Sequence, residues 1–156
     1  MLGLILLQVV LIALNAVFAG TEIAVISVNE TKLEKEVENG NKRAGWLLKM
    51  TRNSSGFLAT IQVAITLSGF LGAAFASDSF AQILSDLLQK TGIGIPDSAM
   101  DTISVILVTL IISYFSIVFG EMIPKRIAMK NAERFSLTMA GPILSLIHIS
   151  EPTRPR

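Results

Sequence analysis

The residues of this chain that could do chemistry are carboxylates, amides and hydroxyls set at helical spacing inside apolar stretches. Gln8, Asn15 and Glu22 recur every seven residues, which puts them on one face of a helix together with Ala19. Gln62, Thr66, Gly69 and Ala73 follow helical spacing further along, and Thr109, Ser113, Ser116 and Gly120 do so a third time. The third series closes on VFGEMIPKR, where Glu121, Pro124 and Lys125 sit at the end of an apolar run. Proline removes a backbone donor and frees carbonyls on the preceding turn. Carbonyl oxygens beside a carboxylate suit a hard cation.

Each of these features also has a plainer explanation. Small residues let helices approach in lipid, and hydroxyls or amides bond across the interface for about 1 kcal/mol or less. Glu121 could be an interfacial carboxylate paired with Lys125 four residues on. Carboxylates inside spans weigh against the plain account, because an ionised Asp near the bilayer centre costs about 2.5–3.5 kcal/mol and such groups usually line a path or a site.

The elements that must carry these residues are membrane helices. Of the 156 residues 51% are hydrophobic and 16% charged, and the mean hydropathy is +0.62, too apolar for a soluble domain of this size. Three apolar runs, Leu2 to Val28, Phe57 to Ser77 and Ile103 to Gly120, approach or exceed the length of about 20 residues that spans a bilayer as helix. A signal peptide would want a cationic start, and the first Lys or Arg is Lys32, so the first run is taken as a span. The predicted fold is therefore an all-α membrane protein with spans at about 2–28, 57–77 and 103–120 and juxtamembrane helices at 29–56 and 121–147.

Charge sets the expected orientation. Lys32, Lys35, Lys42, Arg43, Lys49 and Arg52 lie between the first two runs, Lys125, Arg126, Lys130 and Arg134 follow the third, and Lys90 alone occupies the remaining loop. Cationic loops stay cytosolic, which predicts an outside N-terminus, an outward Asp78–Asp101 loop and a cytosolic C-terminus. Leu33, Val37, Trp46, Leu47 and Met50 give the first cytosolic segment an amphipathic pattern, interrupted by the turn residues NGN. That pattern fits a solvated connecting hairpin or an element gripping the membrane surface or a following domain. A net charge of +1 with no basic patch argues against nucleic acid, and the absence of cysteine removes disulfides, thiolate ligands and thiol nucleophiles. No nucleophile with a base can be assembled, so the chain is not expected to be an enzyme.

LNAVFAGTEIAVISV, FLATIQVAITLSGFLGAAF and SIVFGEMIPKRIAMKNAERF, in this order and spacing, resemble the transmembrane domain of the CNNM/CorC magnesium-transporter family, in its bacterial hemolysin-like branch. The resemblance covers residues 1–147 and is carried above all by Gly120, Glu121, Pro124 and Lys125, then by Gln62 and Thr66. It implies a homodimer of three-helix domains in the lipid bilayer that exports Mg²⁺ in exchange for Na⁺, with a dehydrated ion between the helices. The implied ligands are Glu121, the Gly120 carbonyl, Thr66, Ser68 and Thr21. Glu22, Asn15, Gln62, Gly69, Ser113, Ser116, Pro124 and Lys125 are the pathway or structural residues. Ile65, Gly69 and Ala19 depart from the Ser or Asn found in the magnesium-binding branch, and the hemolysin-like branch includes exporters of other cations, polyamines among them.

Full-length relatives continue into cytosolic CBS modules that bind ATP. This chain carries none, so ATP is not expected. Residues 148–156, with the single histidine His148, read as a non-native tail without a role. The competing functional class is a membrane cation sensor or scaffold that moves nothing. A pore-forming hemolysin is disfavoured by the lack of any amphipathic barrel pattern.

Overall fold

The computed structural model describes residues 1–150, which form seven α-helices and one π-helical turn and contain no strand. Helix α1 spans Leu2–Ser27 and ends where Val28 turns extended. Asn29 then caps α2 (Glu30–Glu38) by accepting from the Thr31 and Lys32 amides, and Asn41 caps α3 (Lys42–Arg52) by accepting from Arg43 and Ala44. Such caps satisfy amides that the first turn leaves without partners. Gly40 makes the turn between the two helices at a φ of +87°, a conformation that glycine adopts without steric cost. Helix α4 covers Ser54–Lys90 and α5 covers Asp97–Ile117. A π turn at Val118–Met122 joins α5 to α6 (Ile123–Lys130), and α7 runs from Ala132 to Ser150.

Three of these helical stretches, Leu2–Ser27, Ser54–Lys90 and Asp97–Lys130, are long and apolar enough to cross a membrane. The chain is thus an all-α integral membrane protein. Helix α1 is the hub, packing on α4, the π turn, α6 and α7, while α4 also packs along α5. Most of the Leu, Ile, Val and Phe surface of the spans stays exposed, including Leu6, Val63, Phe70 and Leu110, as lipid-facing helices require. The main buried cluster lies at the α2–α3 end, where Leu33, Leu47 and Met50 meet Val25, Phe57 and Ile61. Leu33, Leu47 and Met50 therefore serve as core, whereas Val37 and Trp46 of the same amphipathic pattern remain exposed. Lys32 adds a polar tie by donating to Glu133 Oε2 at 2.5 Å. That hydrogen bond, with the carboxylate's charge, raises the Lys32 ammonium above its ordinary value.

Two expected boundaries are corrected. The second long helix does not stop at Ser77 and the third does not begin at Ile103. Helix α4 continues to Lys90 and α5 starts at Asp97, leaving six residues (91–96) where a long outer loop was expected. Residues 78–90 are too polar to register as a span but keep helical periodicity. Ala81 and Ser85 are buried, Phe80 and Leu84 pack with Val108 and Ile112 of α5, and the Ser85 hydroxyl donates to Asp101 at 2.5 Å. At 37 residues, α4 is about 56 Å long and exceeds a hydrocarbon core of about 30 Å.

The second correction concerns Glu121. The helix does not end at Gly120 and Glu121, because helical backbone continues through the π turn to Lys130. The expected juxtamembrane segment 121–147 is accordingly the rest of the third long helix plus most of α7. The expected tail, 148–156, begins inside α7, and residues 151–156 lie outside the described residues.

Candidate functional site

The site is built on the π turn. Pro124 has no N–H, so the Gly120 carbonyl four residues earlier loses its ordinary helical donor. The backbone adjusts by widening one turn, with the Ile123 amide donating to the Val118 carbonyl five residues back. The freed carbonyl then finds a donor on another helix: Asn15 Nδ2 of α1 bonds Gly120 O at 3.3 Å. Glycine is required for that approach, since a Cβ at position 120 would lie 3.0 Å from Asn15 Nδ2. The other polar atom of the amide, Asn15 Oδ1, is buried and has no hydrogen-bond donor among the described residues. A buried acceptor left that way costs about 1–3 kcal/mol.

The widened turn places Glu121, half-buried, in the wall of an open cleft of about 390 Å³ between α1, α4 and α5. Its polar lining is Asn15, Gln62, Thr66, Ser113, Ser116 and Glu121, and the remaining walls include Ile65, Gly69, Phe70, Ile112 and Ile117. The cleft thus joins residues more than a hundred positions apart in sequence, and most of its polar members were expected from the stripes. Oxygen donors dominate. One carboxylate, three hydroxyls and two side-chain amides can hold a cation, and their chemistry suits a hard ion or an organic ammonium better than a soft metal. Among the described residues no group of three or more His, Cys, Asp or Glu side chains gathers to hold a metal.

Lys125 does not pair with Glu121. Its ammonium lies 3.7 Å from Glu22 Oε2 on α1, and no ion pair to Glu121 occurs among the described residues. Helix direction explains the exchange: the π turn shifts the faces presented by residues 121 and 125, so the lysine reaches α1 while the glutamate enters the cleft. The plainer alternative, a pair between Glu121 and its i+4 neighbour, is thus not what forms, and the two intramembrane carboxylates have different environments.

Three of the expected ligands, Thr21, Ser68 and Gly120, do not line the cleft. Thr21 is buried, its hydroxyl donates to the Val17 carbonyl of its own helix at 2.7 Å, and it does not line the cleft. Ser68 lines a neighbouring crevice of about 20 Å³ with Gln8, Asn15, Gly72 and Ser116. Gly120 is buried, its carbonyl accepts from Asn15 Nδ2, and its lack of a side chain makes room for that amide. Pro124 acts through the backbone donor it lacks. Ala19 is fully buried in the apolar core.

The sequence reading left Gln8 outside the site, although its seven-residue spacing from Asn15 was a signal. Its amide sits against Gly72 of α4, where a Cβ would come within 3.2 Å of Nε2. Ile112, Ile117 and Phe70, which wall the cleft, carried no polar signal to find them. Gln62, Thr66 and Gly69 line the cleft from an exposed face of α4, while the face packed inward is Phe57, Ile61, Ile65, Gly72 and Ala76.

Comparison with known proteins gives a consistent picture. The model of the family described as "Cyclin M transmembrane N-terminal domain" matches residues 6–154. A UPF0053 protein of Synechocystis is 34% identical over 92% of this chain and 32% of its own length. A UPF0053 protein of Bacillus subtilis is 31% identical over 86% of this chain and 29% of its own. A protein of Haemophilus influenzae named polyamine export protein is 29% identical over 95% of this chain and 34% of its own. The chain spans about a third of the length of these relatives.

Proposed function

The chain belongs to the cyclin M transmembrane family, and we propose that it is the membrane-embedded part of a cation exporter whose cargo is held at Glu121. The observation that carries this reading is the placement of one carboxylate, without an ion-pair partner among the described residues, in a widened helical turn, lining a cleft of hydroxyl and amide oxygens inside the spans. A charged group in that position is costly without a compensating cation. Thr66, Ser113 and Ser116 supply neutral oxygens, and Glu121 supplies the charge that offsets the dehydration of the cargo.

Mg²⁺ is the first cargo in this account, with Na⁺ as the exchanged ion, because hard oxygens line the polar part of the cleft. A polyamine is the second. Ile65 and Gly69 offer no side-chain oxygen, Phe70 and Ile117 add apolar wall, and a polyamine presents methylene segments between its cations. The relative named for polyamine export lends that reading support. The exposed Gln62–Thr66–Gly69 face fits a homodimer in which a second copy closes the cleft. Cytosolic CBS modules in the complete protein would continue from the α7 end, and the Lys/Arg distribution supports an outside N-terminus.

Cation flux separates these possibilities. The complete protein in proteoliposomes loaded with Mg²⁺ or with spermidine should export one of them down its gradient, with Mg²⁺ export accelerated by opposing Na⁺. Binding without flux of either would replace the exporter with a membrane cation sensor. Neither binding nor flux would remove cation chemistry from the site.

A further inference from the structure

Three positions on α1, Asn15, Ala19 and Thr21, come into question for the first-helix contribution beside Glu121, and the fold disposes of two of them. Ala19 has no oxygen and lies in the apolar core. Thr21 turns its hydroxyl back onto the Val17 carbonyl and does not line the cleft. Asn15, one turn before Ala19, lines both the Glu121 cleft and the adjoining crevice with Ser68 and Ser116.

Its amide is split between two environments. Nδ2 bonds the Gly120 carbonyl that Pro124 leaves without a helical donor, and this fixes which way round the amide sits. Oδ1 is thereby committed as the remaining polar atom, and it is buried with no donor among the described residues. The side chain as a whole is 8% exposed. Ser104 Oγ and Ser136 Oγ also lack a partner among the described residues, but of the three only Asn15 Oδ1 belongs to a residue that lines the cleft, where an oxygen without a donor can serve as a ligand.

We propose that Asn15 is the α1 ligand of the cation site, contributing Oδ1 to the cargo while Nδ2 holds the Gly120 carbonyl and with it the turn that carries Glu121. The proposal rests on the cation reading of the Glu121 cleft. It relocates the first-helix ligand from Thr21 to a residue four positions before Ala19. Occupancy and geometry are coupled by it, because the atom that binds the cation and the atom that holds the turn belong to one planar group.

The test compares Asn15→Leu, Asn15→Asp and Glu121→Gln in the complete protein, purified in detergent and titrated calorimetrically with Mg²⁺ and with spermidine. Thermal unfolding is recorded alongside. Asn15→Leu removes both functions at similar volume and should weaken binding of the tighter cation about 10- to 100-fold. Asn15→Asp keeps an oxygen at the Oδ1 position but loses the donor to Gly120. If the oxygen is a ligand, Asp binds at least as tightly as wild type despite a lower unfolding temperature. If Asn15 only latches the turn, Asp and Leu weaken binding alike, and the ligand role is overturned. Unchanged affinity in Asn15→Leu overturns it too. Should the leucine variant fail to fold, Asn15→Ala provides the oxygen-free comparison. Glu121→Gln distinguishes the two levels of the argument: if it binds as wild type the cleft reading itself falls, whereas lost binding there with unchanged binding in Asn15→Leu removes Asn15 alone.

Discussion

Replacing Gly120 with alanine probes the junction on which the site depends. The added Cβ would stand 3.0 Å from Asn15 Nδ2, 3.5 Å from its Cβ and 3.7 Å from its Cγ. The first distance is too close for a carbon and an amide nitrogen, so Asn15 must retreat from a hydrogen bond that is already 3.3 Å long. Loss of that bond removes about 1 kcal/mol, and overpacking adds about 1–3 kcal/mol. Against this, alanine is favoured over glycine in a helix by about 1 kcal/mol. The net expectation is destabilisation by about 1–3 kcal/mol. Gly69→Ala is the internal control. It stands on α4 in the same cleft, but its Cβ would meet nothing within 4 Å in its own protomer, so in monomeric, detergent-solubilised protein propensity alone acts and the variant should be as stable as wild type or more so. Thermal unfolding of both variants in one detergent reads the difference directly. A Gly120→Ala protein at least as stable as Gly69→Ala would refute the claim that Asn15 and Gly120 form a close, bonded junction.

Two other predictions follow from charge. A cysteine at Ser98 should react with an impermeant reagent added to intact cells, and one at Asn41 should not, whereas the reverse labelling would invert the proposed orientation. Lys125→Met should destabilise by about 0.5–1 kcal/mol through loss of the part-buried Glu22 pair, an effect absent in a Glu22→Gln background. An undiminished effect there would show that Lys125 acts on another group.

Hydropathy and periodicity made the three spans readable, and a carboxylate after a long apolar run was enough to single out Glu121. The outer ends of the spans were not readable that way. Residues 78–90 are amphipathic, and only their fit of Ala81 and Ser85 against α5 extends α4 to Lys90. The hydroxyl ligands were ambiguous for a different reason. A threonine in a helix can bond its own i−4 carbonyl, as Thr21 does, and composition cannot distinguish that from a hydroxyl offered to a ligand. The Asn15–Gly120 contact joins positions 105 residues apart and depends on the register between α1 and α5. No local pattern encodes that register, although Pro124 announces that some carbonyl nearby needs a donor.

The central claim is that Glu121 supplies the charge that binds the cargo. The most direct measurement is cation export from proteoliposomes by Glu121→Gln, a change that keeps the side chain's volume and removes its charge. Export of the wild-type cargo should be abolished, whether that cargo is Mg²⁺ or a polyamine, while reconstitution and unfolding temperature stay near wild type because Glu121 takes part in no ion pair within the described residues. Export at the wild-type rate would contradict it and leave Glu121 as a lining residue only.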